Sequence, residues 1–155
     1  MTASWFNTEP RLESLKQQFL AWIGTPFLPN SCQRGMRGGV SCQKLAAAIY
    51  RGAGFVDVDP PEVSMSHARF SRDSIVEPWM DSRKEFTRVP INPGDTVILT
   101  GDLLGFRIGA AVHHLGIAAG QAQFFHVIEG QSAQFGWLTD PTWGRRLAAI
   151  WRPKP

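Results

Sequence analysis

The texture of this chain changes near Pro90, with helical periodicity before it and short β-rich runs after it. That division constrains the fold more than any other feature. Upstream, Thr8 is suited to cap a helix that takes Pro10 in its first turn and sets Leu12, Leu15, Phe19, Trp22 and Ile23 at helical spacing before Gly24. Residues 25–39 are rich in Pro and Gly and read as an irregular loop. Ser41 then caps a second helix from Cys42 through Tyr50, with Leu45, Ala46 and Ile49 inward and Gly52 or Gly54 ending it. A third helix is expected around Ser66 to Asp81, interrupted by Pro78. Downstream, PINPGD reads as a turn containing Asp95, and TVILT (Thr96 to Thr100), VHHLGIAA, QFFHVIE and RLAAIWRP read as strands. Helices followed by a strand meander specify an α+β fold.

At 155 residues the chain is expected to form one domain spanning 1–155, burying roughly 70% of the surface its unfolded form exposes. Six Trp and ten Phe within an apolar fraction of 43% supply the core. The net charge of +3 comes from basic residues scattered among acidic ones, and the densest basic stretches are the short pairs Arg34 with Arg37 and Arg145 with Arg146. No nucleic-acid partner is expected from that pattern. No signal-peptide pattern and no run of about 20 apolar residues is present, so no membrane partner is expected. A cytoplasmic location as synthesised follows, with delivery by other factors for any action outside the cell. Cys32 and Cys42 could form one bridge across a short loop, but it would consume a candidate nucleophile, so both are expected as free thiols.

Cys42 stands at the start of the second helix, where unpaired backbone N–H groups and the helix dipole favour a thiolate and offer oxyanion donors. A small buried apolar residue is the competing role for such a cysteine. His113 and His114 lie in a strand-like run and must point to opposite faces, so one of them can serve Cys42 as a base. His126 lies twelve residues beyond His114, a separation that suits two antiparallel strands joined around Gly120 and lets it orient the His114 ring. A zinc site from Cys32, Cys42, His114 and His126 lacks the short paired ligand spacing of structural zinc motifs. His67 reads as a surface residue. Gly35, Gly38 and Gly39 are loop glycines without the Lys-Ser or Lys-Thr of a phosphate loop.

In order, GTPF (Gly24 to Phe27), GVSCQKLAAAIYRGAGF (Gly39 to Phe55), PGD, HLGI (His114 to Ile117) and FFHVIEG resemble the NlpC-type cell-wall cysteine peptidases. The resemblance implies a papain-like α+β core, with N-terminal helices and the helix bearing the nucleophile packed on a C-terminal antiparallel β-sheet. It selects Cys42 as nucleophile, His114 as base and His126 as the orienting residue, with no cofactor. It also implies a peptidoglycan stem-peptide substrate, commonly cut between D-glutamate and a diamino acid. Compact members without a signal resemble bacteriophage tail-associated peptidases, which adds phage tail proteins as partners. The sequence departs from the family in having Ser41 where Asp usually precedes the cysteine. It also has Phe27, Leu28 and Pro29 where a Tyr often follows the GTP element. Two other roles fit the same residues: a phage tail assembly protein keeping the fold, and a thiol amidase or acyltransferase on another acyl group.

Overall fold

The computed structural model describes residues 3–155. Helix α1 (Glu9–Trp22) begins on Thr8, whose hydroxyl accepts the Arg11 amide, and it buries Leu15, Phe19 and Trp22. Ile23, assigned above to the same apolar face, is instead half exposed, because the chain leaves the helix there and turns through Gly24 at φ +87°. Strands β1 (Cys32–Gln33) and β2 (Gly39–Val40) pair as a minimal hairpin inside the expected loop.

Helix α2 (Cys42–Gly52) starts on Ser41 and carries a fully apolar inner face of Leu45, Ala46, Ile49 and Tyr50. It stops on Gly54, which takes φ +83° while its amide bonds Arg51 O and the Phe55 amide bonds Tyr50 O. That is the paired closure a left-handed glycine permits at a helix C-terminus.

The helix expected around Ser66 to Asp81 is two short ones, α3 (Met65–Phe70) and α4 (Val76–Asp81). Pro78 does not break α4. It falls in the first turn, where a missing N–H removes no intrahelical bond. The break is at Ser71 to Ile75, where Ser74 Oγ accepts the Glu77 amide and donates to Val112 O.

The remaining strands are β3 (Phe86–Arg88), β4 (Leu103–Ile108), β5 (Ala111–Gly120), β6 (Gln123–His126), β7 (Gln134–Trp137) and β8 (Leu147–Pro153), with helix α5 (Pro141–Arg146) before the last. Six of them form one antiparallel sheet in the order β3-β8-β4-β5-β6-β7. The strand expected at Thr96 to Thr100 is absent. Its backbone groups are satisfied by side chains instead: Arg152 donates to Val97 O at 2.7 Å and Asp102 Oδ2 accepts the Leu99 amide at 2.9 Å. The strand begins at Leu103, and Leu103, Leu104, Gly105 and Phe106 are buried in succession because both faces of the sheet are covered there.

On one face α1 and α2 pack with Leu103, Val112, Leu115, Ile117, Phe125 and Trp151. On the other, Leu104, Phe106, Ala118, Phe124 and Ile150 lie under Trp143 and Leu138. The architecture is α+β and papain-like, with the cysteine helix packed on the antiparallel sheet as expected. No helix of the described residues is long and apolar enough to cross a membrane.

Candidate active site

The first turn of α2 fixes one wall of the site. Ser41 Oγ accepts the Lys44 amide at 3.2 Å and donates to Glu62 Oε1 at 2.7 Å, so a single hydroxyl caps the helix and anchors the 56–64 segment beside it. Cys42 follows as the first helical residue and is 7% exposed. The N–H groups of Leu115, Gln43 and Cys42 itself face its sulfur. Leu115 can offer its N–H because β6 is paired with β5 only from Ile117 onward, leaving that edge of β5 free opposite the helix.

The thiolate expected from helix position alone does not dominate the resting thiol. Burial pushes its pKa up to about 12, and Glu62 adds to the rise, against the opposing pull of the three backbone N–H groups. Desolvation of a sulfur anion in an apolar wall outweighs the field of one helix end.

The second wall is β5. A β-bulge lies between Val112 and His114, opposite Phe106 and Arg107, with His113 as its extra residue, and both His113 and His114 border the cleft. His113 faces α3. Its ring packs edge-on against His67 at 5.2 Å, and its carbonyl accepts Gln43 Nε2 at 3.2 Å. His67, read above as a surface residue, is half-buried by that contact and bonds Asp73 O at 2.9 Å.

His114 lies under an aromatic roof, 5.7 Å from Phe106 and 5.4 Å from Trp143 between ring centres. Its Nε2 is 2.9 Å from His126 Nδ1 on β6. Gly116 makes that approach possible, since a Cβ there would meet Phe124 Cδ2 at 3.0 Å and His126 Cβ at 3.4 Å. Burial, reinforced by the charges of His126 and Arg146, holds the His114 pKa well below 6.5. Burial alone brings His126 down to about 4. Both rings are therefore neutral near pH 7, and one hydrogen is shared between the facing nitrogens.

Cys42 and His114 open on the same cleft of about 610 Å³, whose walls also include Glu62, Glu129, Trp143 and Arg146. His126 does not reach the cleft; it backs His114 from behind. Three contributors escape sequence inspection: Gln43, which ties α2 to β5; Glu62, which holds the cap; and Trp143, which roofs both imidazoles. Only Trp143 had a visible signal. Asp140 followed by Pro141 is an N-cap and first-turn pair, and Asp140 Oδ1 does accept the Thr142 amide at 2.9 Å.

Phe27 and Pro29 line the cleft where the family pattern often has Tyr. Tyr50 is remote from it, donating to Gly101 O at 2.8 Å in the core. Cys32 is exposed on β1 and does not line the cleft, and both thiols are free. Among the described residues no group of three or more His, Cys, Asp or Glu is placed to hold a metal ion.

Sequence comparison finds no family profile and no curated protein that matches. Solved structures do match over nearly the whole chain. A lipoprotein-like NLP/P60 family protein from Staphylococcus aureus superposes on all of this chain with a TM-score of 0.65 at 18% identity, the chain covering 45% of that protein. The P60 domain of an antigen from M. avium paratuberculosis gives 0.53 at 16% identity, covering 94% of this chain and 93% of that one. The peptidoglycan hydrolase RipB from Mycobacterium tuberculosis gives 0.56 at 16% identity, covering 97% and 67%. This chain spans less than half of the S. aureus protein and nearly all of the P60 domain. Helix, sheet and cleft together give this chain the NlpC/P60 fold.

Proposed function

We propose that the protein is a cysteine peptidase acting on peptidoglycan stem peptides, with residues 1–155 as one catalytic unit. One observation carries the reading: a thiol at the first position of a helix and an imidazole backed by a second imidazole open on one cleft. The shared fold of peptidoglycan hydrolases such as RipB supplies the substrate class.

The hydrogen bond between the histidines supports one route for the proton. Nε2 of His114 is engaged by His126, which leaves Nδ1 for the reaction. With the shared hydrogen on His114 Nε2, its Nδ1 carries a lone pair and accepts the Cys42 proton as sulfur attacks the amide carbonyl carbon. The carbonyl oxygen gains the negative charge, for which the backbone N–H of Cys42 is the proposed donor. Collapse breaks the C–N bond, and Nδ1–H gives its proton to the departing amine. Water then hydrolyses the thioester with His114 again as base. Because burial holds the resting thiol protonated and the imidazole neutral, proton transfer accompanies attack.

The bond between D-glutamate and the diamino acid is the expected site of cleavage. Digestion of muropeptides followed by mass spectrometry tests both the reaction and the bond. Wild-type protein should release fragments ending at D-glutamate, and Cys42→Ala and His114→Ala should release none; equal digestion by all three ends the proposal.

A second reading, an assembly protein that keeps the fold, draws on the burial of Cys42 and on Phe27 and Pro29 in the cleft. It requires muropeptides to survive incubation with wild type.

A further inference from the structure

Arg146 is the cation that the cleft leaves unanswered. Six other basic side chains are matched: Lys44 with Asp59, Arg51 with Asp57, Arg69 with Glu129, Arg83 with Glu85, Arg88 with Glu77 and Asp81, and Arg152 with Asp102. Among the described residues no carboxylate lies within salt-bridge distance of Arg146, although it lines the cleft. Arg146 is exposed at the end of α5, and its guanidinium is held by Trp143. Arg146 stands three residues after Trp143 on α5, sharing a helix face with it, and its Cζ is 5.5 Å from the indole centre. The same indole covers His114 at 5.4 Å.

With Glu129 answered by Arg69, the two charges left on the cleft are Glu62 and Arg146. Beside the thiol stands Glu62, bonded to the Ser41 cap; beside the imidazole stands Arg146, stacked on the roof. In the proposed reaction the acyl half of the substrate lies over Cys42 and the departing amine lies against His114. A negative group on the departing residue would face Arg146.

We infer that Arg146 is a specificity-determining residue that binds a carboxylate on the residue released as the amine. A guanidinium supplies two parallel N–H donors to a carboxylate, a match that an amide or a methylene cannot reproduce. This inference rests on the peptidase reading and narrows its substrate. Among diamino acids that follow D-glutamate, it selects one bearing a side-chain carboxylate, such as 2,6-diaminopimelate, over lysine, which has none. Trp143 holds the guanidinium over the cleft, so less side-chain freedom is lost on binding.

The test compares two synthetic tripeptides, L-Ala-γ-D-Glu-diaminopimelate and L-Ala-γ-D-Glu-L-Lys, each with the α-carboxyl of its last residue amidated, so that only the first carries a carboxylate on the released residue. Wild type should favour the first in kcat/KM by about 10- to 100-fold, the range a charge-assisted pair supplies. Arg146→Gln should bring the ratio towards one, and Arg146→Lys should fall between. Binding of both peptides to the Cys42→Ala protein, followed by calorimetry, reads the same preference without turnover. A preference in binding with no cleavage by wild type would uphold the role of Arg146 and overturn the peptidase reading. Cleavage of both peptides at equal efficiency, or a ratio unmoved by Arg146→Gln, would overturn the role of Arg146 and leave the peptidase reading standing. Neither binding nor cleavage would overturn both.

Discussion

His114 Nε2 and His126 Nδ1 face each other at 2.9 Å across neighbouring strands, with the Trp143 indole 5.4 Å from one ring and 4.8 Å from the other. The pair is buried, so its one hydrogen bond fixes a tautomer without competition from water. What His114 can accept at Nδ1 is therefore decided by what His126 accepts at its own Nδ1. An acceptor at that point should suffice. His126→Asn places an amide oxygen near the vacated nitrogen and should keep kcat within about tenfold, whereas His126→Ala should lower it on the order of 10²-fold with little change in KM. Equal losses for both variants in steady-state kinetics would show that the second ring serves only to fill space.

The pH profile follows from the two protonation states. His114 must be neutral to take a proton, and burial holds its pKa well below 6.5, so the acid limb of kcat/KM should lie well below pH 6.5. The thiol stays protonated up to about 12, so no loss from its ionisation should appear through the mildly alkaline range. A thiolate–imidazolium pair would instead give thiol alkylation that is rapid at mildly acidic pH. In a Cys32→Ser background, iodoacetamide should label Cys42 slowly near neutrality and faster as pH rises. Rapid labelling at pH about 5 would contradict the buried, neutral thiol.

The same rings set an acid stability limit. His126 has its folded pKa depressed to about 4 from an ordinary 6.5. Its neutral form is favoured by folding, so the contribution is fully present above 6.5 and is lost as pH falls towards 4. At about 1.4 kcal/mol for each pKa unit, the loss is up to about 3.5 kcal/mol. Urea unfolding across that window should show the decline, and His126→Gln should flatten it. An unchanged slope in the variant would place the acid sensitivity elsewhere.

Cys42, His114 and His126 could be singled out as candidates because each rests on local chemistry: a cap before Cys42, and strand-like runs at His114 and His126. The first two helices were legible for the same reason, from Thr8 and Ser41 as caps and Gly54 as a stop. Strand β4 was not. Its Leu103-Leu104-Gly105-Phe106 run is buried on both faces and shows no alternation, while Val97 in the neighbouring TVILT run is exposed despite its β-branched character. Glu62, Arg146 and Gln43 belong to the site only through tertiary contacts, which no local pattern encodes. The field at the helix start was legible, but the burial that outweighs it at Cys42 was not.

Asp102 and Arg152 hold the 97–102 loop in place of the strand expected there. Arg152 Nε and Nη2 donate to the two Asp102 oxygens at 3.0 and 2.8 Å, and both residues are buried. Removing one partner leaves the other charge unanswered in the interior. Asp102→Ala should cost about 3–5 kcal/mol, and the double change Asp102→Leu with Arg152→Met should cost less than that single one. Denaturant unfolding of the two proteins measures the difference. A double variant less stable than Asp102→Ala would mean that the pair itself, and not the avoidance of a lone charge, stabilises the loop.

Gly116 separates the demands of folding from those of the site. Alanine there would put a Cβ 3.0 Å from Phe124 Cδ2, 3.3 Å from Phe125 O and 3.4 Å from His126 Cβ, so β6 must shift by a few tenths of an ångström. That shift falls on the strand that carries His126, and misplacement of a positioned group lowers rate steeply. Gly105, paired across from Leu115, supplies the control, because its added Cβ would meet Trp151, Val112 and Ala149 on the helix-covered face. Both alanine variants should lose about 1–3 kcal/mol of stability through overpacking. Only Gly116→Ala should also lose kcat, by about tenfold, when rates are compared per folded molecule below its melting temperature. Equal rates for the two variants would mean that the distance between His114 and His126 does not limit turnover, and that the glycine of HLGI serves strand packing alone.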